Sequence, residues 1–139
     1  MTFKIDEKLA KVIQTSWFTL EKGIYVYAKV SEVRLPEKHL IVTRDSDEIT
    51  VVTELSNLSS LGDYERNPDN WLLLNIKCGN PFYCEGFLAA IASVFASKGI
   101  DITLTSTYTN DYVMVQEQNI EQSIHLLTSI GFTFKDNRI

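Results

Sequence analysis

The stretch Lys98-Gly99-Ile100-Asp101-Ile102-Thr103-Leu104-Thr105-Ser106-Thr107-Tyr108-Thr109-Asn110-Asp111-Tyr112-Val113-Met114-Val115 decides the fold. Gly99 is the kind of residue that stands just past a helix C-terminus. After it, Ile100, Ile102 and Leu104 alternate with Asp101, Thr103 and Thr105, the period-two pattern of a half-buried strand. Thr109-Asn110 supplies a turn, and Tyr112 to Val115 is the returning strand. The stretch therefore reads as a helix stop followed by a hairpin.

Upstream, Phe87, Leu88, Ile91, Val94 and Phe95 recur at helical spacing, which predicts a helix from about Cys84 to Lys98. Before it, Trp71 to Ile76 is a short apolar run of strand length, broken by Gly79-Asn80-Pro81. Downstream, a helix is expected near Asn119, with the Asn119 side chain as cap and Gln122 as its capping-box partner. Ile120, Ile124 and Leu127 form its apolar stripe. Gly131 ends it, and Phe132-Thr133-Phe134 is a last strand. From Trp71 onward the order is β-α-β-β-α-β, the ferredoxin-like split arrangement. The expected fold class is α+β, an antiparallel sheet with helices on one face.

The N-terminal half is less regular. Ile5, Leu9, Val12, Ile13 and Trp17 predict a helix over 4–17. Gly23 breaks it, and Ile24 to Val30 alternates as a strand. Leu40-Ile41-Val42 and Ile49 to Thr53 are two short strands around the turn Arg44-Asp45-Ser46-Asp47. Leu55, Leu58 and Leu61 suit one short helix. Residues 63–70, with Asn67-Pro68-Asp69-Asn70, read as a polar boundary. The resulting division is an N-terminal helix over 1–18, a first unit over 19–68 and a second over 69–139.

At 45% apolar and 22% charged residues, the chain has enough apolar material for a core and too little charge imbalance for disorder. The net charge of -5 argues against a nucleic-acid groove, which needs concentrated Lys and Arg. Lys4, Lys8 and Lys11 are interleaved with Asp6 and Glu7 and read as a solvated helix face. No apolar run approaches a membrane span, and the N-terminal ten residues lack the apolar core of a signal peptide. Two cysteines are too few for a disulfide framework, so a reducing cytoplasm is the expected setting.

No catalytic constellation is legible. Cys84 stands near a predicted helix N-terminus, but a nucleophile needs a base, and His39 and His125 show no spacing to it. Cys78 and Cys84 with two scattered histidines do not make a metal site. Asp45, Asp47 and Glu48 lack the pattern of a calcium loop. Lys98-Gly99-Ile100 is a helix stop rather than a phosphate loop, so no cofactor is expected.

Several segments carry a family resemblance: Trp71 to Ile76, Pro81-Phe82, Gly86 to Ala92, Lys98 to Ile102 and Ser106 to Val115. Together they resemble ACT domains, and most of all small stand-alone bacterial proteins related to the regulatory part of aspartate kinase. Tyr25-Val26-Tyr27-Ala28 and Asp47 to Val52 are similar to the strands of a degenerate first ACT-like unit. The resemblance implies two ACT-like units in tandem, a homodimer, and a non-catalytic regulatory module with a small-molecule ligand, an amino acid above all, held between units. A structural dimerisation or protein-interaction domain is the alternative. Carried onto this chain, the ligand-binding residues are Asn80, Phe82, Tyr83, Cys84, Glu85 and Gly86, facing Ser106, Thr107, Tyr108 and Asp111. The chemistry agrees: a helix N-terminus suits a carboxylate, and Ser106, Thr107 and Asp111 suit an ammonium. Gly86 is expected to admit a ligand or neighbouring backbone closely. Glu85, Tyr83 and Cys84 depart from the smaller residues of the family. A carboxylate at Glu85 stabilises the helix start but competes for the place of a ligand carboxylate.

Overall fold

A computed structural model describes residues 3–79 and 83–136. The contacts divide the chain into two compact units, one of residues 3–22 with 72–136 and one of residues 23–71. This differs from a boundary after residue 18, because the N-terminal segment folds with the C-terminal half.

That larger unit begins with α1 (Glu7–Gln14). Asp6 caps it, its side chain accepting from the Leu9 N–H at 2.8 Å. The helix predicted to reach residue 17 stops three residues earlier. Ser16 turns its hydroxyl back to the Val12 carbonyl at 2.7 Å, competing with the backbone ladder as hydroxyl side chains do. Trp17 then belongs to β1 (Trp17–Leu20), with Phe18 and Leu20 buried on one face. Tertiary pairing has overridden the helical pattern at this point. The rest follows the predicted order: β6 (Trp71–Lys77), α2 (Phe87–Ala96), β7 (Ile102–Ser106), β8 (Asp111–Gln116), α3 (Ile120–Ser129) and β9 (Thr133–Phe134).

Strand order in this unit is β7-β8-β6-β1-β9. In the bare split arrangement the last strand would lie directly beside β6. Instead β1 enters between them, antiparallel to β6 with Phe18 opposite Ile76 and parallel to β9 with Phe18 opposite Phe134. The β1–β6 and β7–β8 pairs are thus antiparallel and the β1–β9 edge pair parallel. Phe18, Leu74, Ile76, Val113 and Val115 face one way. Leu9, Val12 and Ile13 of α1, Phe87, Ile91 and Phe95 of α2, and Leu126 and Leu127 of α3 cover them in one buried cluster. All three helices lie on this face of the sheet. Phe18 stacks on Phe134 at 5.0 Å and meets Phe132 edge-on at 6.4 Å, geometries that add to burial itself.

Two local expectations need correction. Asn119 makes no side-chain cap. The chain enters α3 through a short 3-10 turn, Glu117–Asn119, leaving Asn119 at φ -102°, ψ 5° rather than in the extended conformation a cap needs. The Ser123 hydroxyl donates to the Asn119 carbonyl instead, at 2.7 Å. Gly86, at φ +87°, needs its hydrogen for protein contact: a Cβ there would lie 3.2 Å from Leu9 and Phe3 side-chain carbons. The close neighbour is the N-terminal segment.

The smaller unit contains β2 (Tyr25–Val30), β3 (Ile41–Arg44), β4 (Ile49–Glu54) and β5 (Tyr64–Arg66), in the order β3-β4-β2-β5. The turn between β3 and β4 forms as expected, with Asp45 Oδ1 accepting from the N–H groups of Asp47 and Glu48. Residues 63–70, read as a polar turn, contain β5. Ala28, Val30, Ile49, Val51 and Leu61 make the unit's own buried cluster. Its non-strand pieces are 3-10 turns, including Leu55–Ser60, which accords with a degenerate unit. Buried Thr53 organises its loops: its oxygen accepts from Asn57 Nδ2 at 3.1 Å and lies 3.0 Å from His39 Nδ1, while His39 Nε2 meets the Arg34 carbonyl at 2.7 Å. The Arg34 carbonyl can only accept, so Nε2 carries a proton.

One close approach governs the end of β6. A Cβ on Gly79 would stand 1.9 Å from Thr15 Oγ1 and 2.8 Å from the Thr15 carbonyl carbon. A side-chain oxygen can rotate away, but the backbone carbon cannot. Gly79→Ala is therefore expected to destabilise the protein by about 1–3 kcal/mol, read as a lower urea midpoint at unchanged m-value. An unchanged midpoint would mean that α1 and β6 shift apart freely.

Candidate functional site

The site is built where β6 ends, α2 begins and the β7–β8 hairpin turns. Ser106 and Asp111 are paired across the two strands, and residues 107–110 form the turn between them. The turn is closed by the Thr107 N–H donating to the Asn110 carbonyl at 2.8 Å, and by the Asn110 N–H donating to Thr107 Oγ1 at 3.2 Å. Lys77, the last residue of β6, donates to Asn110 Oδ1 and holds the hairpin to the strand. Ser106 Oγ donates to Asp111 Oδ1 at 2.6 Å. Among the described residues the other Asp111 oxygen has no hydrogen-bond partner.

Opposite this hairpin lies the start of α2. Gly86 occupies the cap position and has no side chain to offer, so no side chain caps the first turn. The Phe87 N–H is used by the Cys84 carbonyl, at 3.2 Å. The next amides, of Leu88 and Ala89, belong to the set that a helix leaves unsatisfied, with a partial positive charge around them.

Between the two walls is a cavity of 370 Å³. Of the residues predicted from sequence, Tyr83, Cys84, Gly86, Ser106, Thr107, Tyr108 and Asp111 line it. Asn80 and Phe82 lie outside the described residues. Glu85 is exposed and does not line the cavity, so its carboxylate leaves the helix start accessible. Cys78, Phe87, Leu88, Ala89, Thr109 and Asn110 also line the space, and sequence reasoning missed them. For Phe87 the signal points the other way, since its apolar spacing marks it as core, and it is buried as such. Thr109 and Asn110 were legible as a turn but not as a wall.

Tyr83 and Tyr108 stand at the rim, 85% and 92% exposed. Tyr83 also has φ 66°, a left-handed conformation that a non-glycine residue adopts at some cost. The Cys78 thiol is pushed above its ordinary range, first by burial and then by Asp111 and Cys84 nearby. The N–H groups of Tyr83 and Cys84 act in the opposite direction. Neither cysteine is in a disulfide. Among the described residues no cluster of His, Cys, Asp and Glu could hold a metal ion.

A larger hollow of 640 Å³ lies in the smaller unit, around Asp45, Asp47, Glu48, Asp63 and Glu65, with Lys29 and Arg44. It is wide open and its carboxylates are solvated, so its size does not reflect a converging set of groups.

Residues 66–129, the segment that carries these walls, match the sequence model of the ACT domain. Solved structures extend the likeness to the fold of most of the chain. A Vibrio cholerae protein of unknown function, described as a possible transport protein, superposes with TM-score 0.77 at 21% identity, covering 90% of this chain and 97% of its own. An Agrobacterium tumefaciens protein gives 0.71 at 22%, covering 89% and 95%. The regulatory subunit of aspartate kinase from Thermus thermophilus, in its ligand-free form, gives 0.60 at 10%, covering 85% and 97%. No curated protein sequence matches the chain. Among the described residues no helix is long and apolar enough to cross a membrane.

The environment of Cys78 makes a prediction about this cavity wall. In Cys84→Ser, where only one thiol remains, the alkylation rate of Cys78 should rise with pH through an inflection above the ~8.5 of a free cysteine. Burial favours the neutral thiol, so the thiolate appears at higher pH than in an unfolded chain. An inflection at or below the free-cysteine value would place Cys78 in solvent rather than in the cavity wall.

Proposed function

We propose that the chain is a non-catalytic regulatory module whose ACT domain binds a free amino acid in the cavity between α2 and the β7–β8 hairpin. One observation carries the reading. A single cavity has an uncapped helix start on one side and a carboxylate with an uncommitted oxygen on the other. A zwitterion has the complementary pair of charges. Its carboxylate fits the Leu88 and Ala89 amides, and its ammonium fits Asp111 and the hydroxyl of Thr107. Phe87, Leu88 and Tyr83 offer apolar surface to a side chain. The absence of Glu85 from the cavity lining supports an accessible site.

Among the described residues the site holds no arrangement of base and nucleophile, and the reading is accordingly one of binding without chemistry. A module of this kind acts by shifting the state of something it contacts, a second copy of itself or another protein. The exposed rim residues Tyr83 and Tyr108 favour a second reading, an interaction domain that docks a protein partner over the cavity mouth, since aromatic side chains recur at the centres of interfaces.

A thermal-shift screen of the standard amino acids separates the two. At a hundredfold excess over Kd a ligand stabilises by about 2.7 kcal/mol, which is roughly 10 °C for a protein of this size. One amino acid is expected to give such a shift. Asp111→Asn should weaken its binding roughly ten- to a hundredfold, since a charged hydrogen bond is worth about 1.5–3 kcal/mol. Silence from all of them at millimolar concentration would sink the amino-acid reading and leave the interaction domain.

A further inference from the structure

We propose that Cys78 and Cys84 are a thiol–disulfide pair, a modification site in the cavity wall that closes reversibly when the folded chain meets a peroxide-class oxidant. The only two cysteines of the chain line the same cavity. Cys78 directly follows β6, and Cys84 stands two residues before the cap of α2. The sulfur of Cys78 lies where the N–H groups of Tyr83 and of Cys84 itself bear on it. The Cys84 amide nitrogen is only two bonds from its own Cβ. A disulfide requires the two Cβ atoms to approach about 3.5–4.5 Å. In the reduced chain the Cys84 thiol donates to the Glu85 carbonyl at 3.7 Å; the proposed link requires it to leave that contact and turn toward Cys78 across the shared cavity, with Lys77 anchored on the hairpin on one side and Phe87 buried in the core on the other.

The two thiols have different roles. Burial keeps Cys78 protonated, whereas Cys84 neighbours the exposed Tyr83 and Glu85 at the outer edge of the wall. Cys84 therefore meets the oxidant first. Its thiolate attacks one oxygen of hydrogen peroxide, the O–O bond breaks, and a sulfenic acid forms while the departing hydroxide takes up the proton the thiol had released, giving one water. The Cys78 sulfur then attacks the Cys84 sulfur. The S–O bond breaks, the S–S bond forms, and the hydroxyl leaves as a second water with the Cys78 proton. Two thiols are oxidised and one peroxide is reduced to two waters, so the step needs no further electron acceptor.

The link makes the cavity wall redox-dependent. Its formation rests on the placement of the two cysteines alone, whereas any consequence for a ligand rests on the amino-acid reading above. The test counts thiols and so stands apart from that reading. The reduced full chain is treated with hydrogen peroxide, blocked with an alkylating agent and mapped by mass spectrometry. The expected product is a monomer lacking two hydrogens, with one peptide pair linking Cys78 to Cys84, reversed by a dithiol reductant. Cys78→Ser is expected to stop at a sulfenic acid on Cys84 that dimedone traps, and Cys84→Ser to react far more slowly. The same treatment in concentrated urea is expected to close the bond several-fold more slowly, because the fold then no longer places the thiols together. Full alkylation of both cysteines after peroxide treatment, a bond formed only between chains, or equal closure rates folded and unfolded would each overturn the proposal.

Discussion

The insertion of β1 between β6 and β9 is the constraint on which the larger unit depends. Phe18 at its centre is fully buried, opposite Ile76 on one neighbour and stacked on Phe134 of the other. Its placement also decides what happens just before it. Ser16 is buried between α1 and the strand, accepts from the Gly79 N–H at 2.8 Å and donates to the Val12 carbonyl at 2.7 Å. That relay satisfies a helix-end carbonyl and a strand-end amide with one hydroxyl, as buried polar groups require. It fixes Gly79, and thereby the point from which the chain departs β6 toward the cavity. The N-terminal segment also reaches the site from the other end. Leu9 and Phe3 pack where a side chain on Gly86 would stand, so the cap of α2 is held against α1.

The cavity is consequently made by elements rather than by one loop. β6 supplies the Lys77 tether and, just past its end, Cys78; α2 supplies its first turn, and the hairpin supplies Ser106 to Asp111. Its polarity comes from two incomplete satisfactions. A glycine cap leaves the helix start without a side-chain acceptor, and Asp111 spends one oxygen on Ser106 while keeping the other. Either could have been closed locally. Asp, Ser or Asn at position 86 would cap the helix, but the left-handed backbone and the nearby Leu9 and Phe3 carbons favour glycine. The packing of the N-terminal segment and the openness of the helix start therefore share one cause.

Much of this was legible in the sequence where period and punctuation agreed. The alternation through Ile100, Ile102 and Leu104, the helical spacing from Phe87 to Phe95, and the stop at Gly99, which has φ +66°, specify the hairpin and α2 by local rules alone. The segment around Thr15 to Leu20 was not legible, because Trp17 fits a helical stripe as well as a strand and only the partners β6 and β9 decide between them. Long-range pairing of this kind leaves no local mark. Asn119 misled for the related reason that a capping box is a pattern of residue types, whereas the cap is a backbone conformation. Tyr64 to Arg66 is polar enough to pass for a turn, and becomes a strand only because Ala28 to Val30 presents an edge to it.

At the site the legible part was the first turn of α2 and the hairpin tip, since each advertises itself through glycine, hydroxyl and carboxylate residues. Cys78 was hidden by its position after a buried strand, where a thiol reads as a small apolar residue. What distinguishes it is the chain's return: six residues later the backbone brings the amides of Tyr83 and Cys84 to its sulfur. A thiol just after a strand and a thiol before a helix each read as ordinary in sequence. Placing them in one wall requires the chain leaving β6 to be held at Gly79 by the hydroxyl of Ser16, and therefore requires α1 and β1 to be where they are. The same pairing that defeats a local reading of residues 15–20 is the one that assembles the site far downstream, between Cys78 and Asp111.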